Sequence, residues 1–109
     1  MRATVTALMI CLAIPAVTAA QDAKVAKGAE VYTAQKCGLC HSIADKGNKK
    51  GPLDGVGSKL SAAQVRECMT DAKGMTAKTK ATRKPDMTSY TLPSDELDAI
   101  VAYMMSLKK

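Results

Sequence analysis

The five residues Cys37-Gly38-Leu39-Cys40-His41 constrain this chain more than any other stretch. Two thiols three positions apart, followed at once by an imidazole, form the attachment pattern of a c-type haem. Each sulfur can bond covalently to a vinyl group of the macrocycle, and the adjoining histidine sets a ligand beneath the iron. His41 is the only histidine among the 109 residues, so the pattern has one available proximal ligand. Composition points the same way: the chain has no Trp or Phe and three Tyr. Domains this small often need a staple, metal or cofactor to complete a core, and a covalently held haem would provide the missing apolar centre.

Two other chemistries use a C-x-x-C pair. A thioredoxin-like redox pair needs a neighbouring βαβ pattern, which the chain does not show. A zinc site needs about four ligands, and Cys37, Cys40, His41 and Cys68 would have to supply them. Adjacent Cys40 and His41 do not match the usual spacing of such ligands. The haem reading uses all three motif residues together. Cys68 is then left alone, either as a small buried hydrophobe or as an exposed thiol that pairs with a partner.

The first 20 residues read as a secretory signal peptide. Arg2 gives a positive start, Ala3 to Ala13 is almost wholly apolar, and Val17-Thr18-Ala19-Ala20 supplies the small residues of a cleavage site. Cleavage is expected after Ala19 or Ala20, which leaves one domain over residues 21–109. An uncleaved membrane anchor is the alternative, but the apolar stretch is short for a span of about 20 residues. No stable membrane insertion is expected after cleavage.

The domain reads as all-α, with three to five helices. Residues 22–36 have helical periodicity: Val25, Ala26, Ala29 and Tyr32 share one side, and Asp22 suits the N-terminus. Gly28 costs helix propensity; it is either unremarkable or marks a close crossing by another helix. Residues 42–59 read as a glycine-punctuated loop. In it, the carbonyl of Pro52 is a candidate acceptor for the Nδ1 hydrogen of His41. A helix is expected over 61–70, opened by a Ser61/Gln64 capping box. Residues 71–91 read as an extended, Lys- and Thr-rich loop. The last helix follows Pro93, with acids in its first turn and Leu97, Ile100, Val101 and Met104 at helical spacing.

A sixth iron ligand cannot be a second histidine. Met69, Met104 and Met105 fall in expected helices, where methionine is usually a core gap-filler. Met75 and Met87 fall in the expected loop. Met87 has the better setting, because Pro85 stiffens its approach and the final helix begins soon after. Met75 or an open position is the alternative.

Taken in order, the haem motif, the Gly51-Pro52 loop, the Pro85-x-Met87 segment and the C-terminal helix resemble the small class I monohaem cytochromes c of bacteria, over nearly all of residues 21–109. The resemblance implies a small fold wrapped around one covalent haem c. Cys37 and Cys40 would carry the thioethers, His41 would be the proximal ligand and Met87 the distal one. Gly28 and Tyr32 match the family's N-terminal helix contact with the C-terminal helix near Tyr103, and Pro52 matches the residue whose carbonyl orients the histidine. Leu53 follows Pro52 directly, where the family often has one residue between them.

A His/Met site has no open iron position, so the resemblance implies a periplasmic electron carrier rather than an enzyme. Leu39, Val56, Leu60, Leu97, Ile100 and Val101 are expected to keep water from the haem. Lys46, Lys49, Lys50, Lys78, Lys80, Arg83 and Lys84 are expected to form a positive rim facing an acidic redox protein. A periplasmic dehydrogenase or a terminal oxidase is a candidate partner. The competing readings are a tightly bound cytochrome subunit of a periplasmic dehydrogenase, and a ligand-binding or peroxidase-like haem protein. Nucleic acid is a poor match, since no stacking surface or recognition motif accompanies the positive charge.

Overall fold

The computed structural model describes residues 16–109. The expected signal peptide falls mostly on residues 1–15, which lie outside the described residues. Five α-helices follow one another: α1 (Ala16–Ala34), α2 (Val56–Lys59), α3 (Ala62–Thr70), α4 (Ala72–Thr79) and α5 (Ser94–Ser106). Among the described residues no helix is long and apolar enough to cross a membrane.

Helices α1 and α5 cross at Gly28. A side-chain carbon on Gly28 would overlap the carbonyl of Ala99 and the Cβ of Tyr103. The glycine is therefore the close-approach residue, and its propensity cost is offset by helix–helix contact. One turn on, the rings of Tyr32 and Tyr103 meet edge to face at 5.9 Å, a favoured aromatic geometry. Lys27 and Asp95 join the same helices at the surface. The buried face of α1 differs in part from the expected one: Ala26 is exposed, and Val31 enters the core instead. Asp22 lies inside α1 rather than at its start.

The core joins Val31 to Val65 and Met69 of α3 and to Ile100, Val101 and Met104 of α5. Ile100 is almost fully buried, and burying such a side chain contributes roughly 1.5–3 kcal/mol. The α3 capping box is complete: Gln64 N–H donates to Ser61 Oγ at 3.2 Å, and Ser61 N–H donates to Gln64 Oε1 at 2.8 Å. Helix α5 opens after Pro93 with Asp95 and Glu96 in its first turn, and no side chain caps it.

Two segments expected to be loops contain regular structure. Residues 42–59 include an antiparallel pair, β1 (Ser42–Ile43) with β2 (Lys46–Gly47), as well as α2. Ala44 and Asp45 turn between the strands, both at positive φ, as a tight primed hairpin turn requires. Residues 71–91 include α4, so the loop expectation fails over 72–79. Asp71 caps α4 by accepting from Gly74 N–H at 3.1 Å, and Ala72 and Met75 bury its inner face. Their i, i+3 spacing makes the segment amphipathic despite its lysines and threonines.

Candidate functional site

The Cys37–Leu39 turn follows α1 directly. Lys36 enters the left-handed region at φ 56° and breaks the helix. A tight turn then winds the motif, with Leu39 N–H donating to Lys36 O, Cys40 N–H to Cys37 O and His41 N–H to Cys37 O at 2.9–3.1 Å. This winding brings Cys37 and His41 to the wall of one cleft, although they are four residues apart. The three cysteines at 37, 40 and 68 carry free thiols. Burial pushes the Cys37 thiol above its ordinary pKa, and the neighbouring Cys40 adds to the shift.

Backbone fixes the orientation of His41. The carbonyl of Gly51 lies 3.0 Å from His41 Nδ1. A carbonyl can only accept, so Nδ1 carries the hydrogen and Nε2 keeps its lone pair. The acceptor is thus Gly51 and not Pro52. Ser42 forms an isolated parallel bridge to Pro52. The bridge is made by the residues on either side of the proline: Ser42 N–H donates to Gly51 O at 3.1 Å, and Leu53 N–H donates to Ser42 O at 2.8 Å. Gly51 O therefore turns toward His41, and Pro52 needs no amide hydrogen. Burial lowers the pKa of His41 and favours neutral imidazole, partly opposed by the Gly51 bond; the Arg83 charge adds to the lowering.

The cleft has a volume of about 140 Å³ and opens to solvent. Its walls bring together Cys37, His41, Val56, Leu60, Ile100 and Met87. A second, more polar cleft holds Cys40 beside Lys36, Arg83 and Tyr90, and shares Cys37, His41 and Met87 with the first. All four residues singled out in the sequence therefore gather around two adjoining clefts. Met87 is held from one side by its neighbours in sequence. Ala72 N–H donates to Ser89 Oγ at 3.0 Å, and Tyr90 N–H donates to Met69 O at 2.7 Å. These bonds tie the segment to the junction of α3 and α4.

Several expected roles change. Leu39 is 72% exposed and lines neither cleft, because the turn aims the middle of the motif outward. Leu97 and Val101 pack into the core without lining the apolar cleft. Val65, Cys68 and Met104 line it instead. Their helical spacing is visible in the sequence, but not which face meets the cleft. Met75 is buried in α4 and stands on neither wall beside His41. In the expected positive rim, Lys78 pairs with Glu67 and Lys84 with Asp86, while Arg83 lines the polar cleft; Lys36, outside that expected set, lines it too.

The donor set fits a c-type haem. Two thiols, a neutral imidazole with a directed Nε2 lone pair and a thioether sulfur border two adjoining clefts, one apolar and one more polar; Cys37, His41 and Met87 line both and Cys40 the polar one. No curated protein and no solved structure matches the chain. The family model described as Cytochrome c, however, matches residues 25–108, from the first buried turn of α1 to the end of α5. With its thiol pair, its oriented histidine and its five helices, the chain belongs to the cytochrome c family, as a class I monohaem member.

Proposed function

We propose that this protein is an exported electron carrier built on one haem c, attached through Cys37 and Cys40 and ligated by His41 and Met87. The observation that carries the reading is the shared cleft: His41, with only Nε2 unprotonated, and Met87 stand on the walls of one apolar space. Haem c, when bound, supplies the ferric/ferrous couple. The remaining work belongs to the chain's own residues. Cys37 and Cys40 offer the thiols for two thioether bonds, and Gly51 holds the His41 tautomer by accepting its Nδ1 hydrogen. A Met87 sulfur on the iron would favour the ferrous state and raise the potential. Val56, Leu60, Val65, Ile100 and Met104 line the apolar cleft; packed against the haem, they would keep water from it and leave the extra charge of ferric iron poorly solvated. Held by both His41 and Met87, the haem iron would have no ligand position left for substrate. The family is accordingly one of carriers rather than catalysts.

The partner in this reading is a redox protein with an acidic docking face. Lys36 and Arg83 border the polar cleft, and Lys49 and Lys50 are exposed on the following turn. Steering by these charges predicts an electron-transfer rate that falls as salt rises; a rate indifferent to salt would sink it. Export to the periplasm predicts a mature chain beginning near residue 20 or 21, and an intact Arg2 in its mass would refute it.

The direct test is the absorption spectrum of exported wild type and Met87→Ala. The expected result is a c-type spectrum whose weak far-red sulfur–iron band disappears in the variant. A haem spectrum without that band in wild type would move the distal ligand elsewhere and reopen ligand binding or peroxidase-like chemistry.

A further inference from the structure

We propose that Arg83 is a positioning residue for the proximal half of the site, strapping the Met87 segment onto the Gly51 turn that orients His41. The idea rests on the haem reading above and extends it to a residue that neither binds nor ligates. Its first support is steric. A side-chain carbon on Gly51 would overlap Arg83 Nη1 and lie 3.0 Å from Arg83 Cζ. The guanidinium, with the Cys40 carbonyl that the same carbon would also overlap, thus fills the space that any other residue at position 51 would take.

The second support is what Gly51 does. Its carbonyl accepts from both His41 Nδ1 and Ser42 N–H, at 3.0 and 3.1 Å. Pressure on Gly51 is therefore pressure on the proximal hydrogen bond. Arg83 also lies four residues before Met87 and lines the polar cleft with Cys37, Cys40, His41 and Met87. One side chain consequently links the segments that carry the two proposed axial ligands.

The third support is charge. Lys78 and Lys84, its neighbours along the chain, are each paired with a carboxylate. Among the described residues no carboxylate pairs with Arg83, so its charge remains uncompensated beside the proximal turn. Ferric iron carries one more positive charge than ferrous iron. A guanidinium held there disfavours the ferric form and raises the reduction potential. Because Arg83 is exposed, the effect is screened by salt.

The test compares holoprotein of wild type, Arg83→Met and Arg83→Lys. Reduction potentials are measured at low and high ionic strength, and amide exchange is followed at Ser42 and Leu53. The expected result is a lower potential in Arg83→Met at low salt, a gap that narrows as salt is added, and a potential close to wild type in Arg83→Lys. Exchange at the two amides should be several-fold faster in Arg83→Met. An unchanged potential in Arg83→Met at low salt overturns the proposal. So does a lowered potential with unchanged exchange, which would place the Arg83 contact away from Gly51. Amide exchange needs no sulfur–iron bond. If wild type lacks the far-red band, Met87 ligation fails while the Arg83 strap is still judged.

Discussion

The two sides of the cleft are built differently. From Cys37 to Leu53 the proximal side is a dense backbone lattice: the motif turn, the β1–β2 pair, the Ser42–Pro52 bridge and the Gly51–His41 bond all lie within 17 residues. From Lys80 to Leu92 the distal side has no helix or strand. It is anchored at Ser89 and Tyr90 and, in our proposal, at Arg83. Backbone bonds between near neighbours in sequence cost little chain entropy to close, whereas a long span held at a few points opens more readily. His41 is thus set in place by local structure, whereas Met87 hangs between anchors.

That contrast is sharpest at His41 and Met87, the proposed ligands. His41→Ala should have the largest effect, with loss of the low-spin haem spectrum and of folded holoprotein. Met87→Ala should retain covalent haem and a folded domain while losing the far-red band. Circular dichroism beside the spectra reads both, and equal damage from the two variants would erase the asymmetry.

Next comes the apolar wall that both sides share. Ile100→Ala removes a nearly fully buried side chain that lines the cleft, and should destabilise the protein by about 2–5 kcal/mol in denaturant titration. Gly28→Ala comes after it. The added carbon meets backbone at Ala99, which cannot swing aside, so a loss of roughly 1–3 kcal/mol is expected. The helix crossing supports both walls, so this variant should leave the relation between them intact: proximal and distal amides should lose protection together.

The smallest effects come from single side-chain hydroxyls. Ser61→Ala removes half of the α3 capping box and should cost about 0.5–2 kcal/mol. Ser89→Ala removes the bond to Ala72 N–H and should cost about as little globally. Its mark should instead be local, with faster amide exchange over residues 86–90 and none over 41–53. Exchange rising equally on both sides would show that the two halves open as one unit.

The elements that sequence reading found are those held by local rules. The Ser61 capping box, the acidic start of α5 and the repeat of Leu97, Ile100, Val101 and Met104 are each written within a turn or two of helix. What it missed has a specific cause. Helix α4 is hidden by Gly74 and a polar composition. Its signals were present in the Asp71 cap and in the spacing of Ala72 and Met75, but they were weak until α3 and Ser89 gave that face something to pack on. The β1–β2 turn uses Ala44 at positive φ, a position for which alanine gives no signal. Asp54 Oδ1 accepts from Ala44 N–H at 2.9 Å, and a partner ten residues away cannot be read from the turn itself.

By itself, the sequence determined the family, the two thiols and the single available histidine, because covalent attachment demands those residue types at that spacing. It also offered Gly28 as a candidate crossing and Met87 as the preferred sulfur. Only the tertiary structure decided which carbonyl holds His41, that Leu39 turns outward, that Met75 belongs to a helix and that Arg83 lies on Gly51. Each of these depends on which segment passes over which. Spacing along the chain encodes what a residue can bond. The path of the folded backbone decides which partner is within reach.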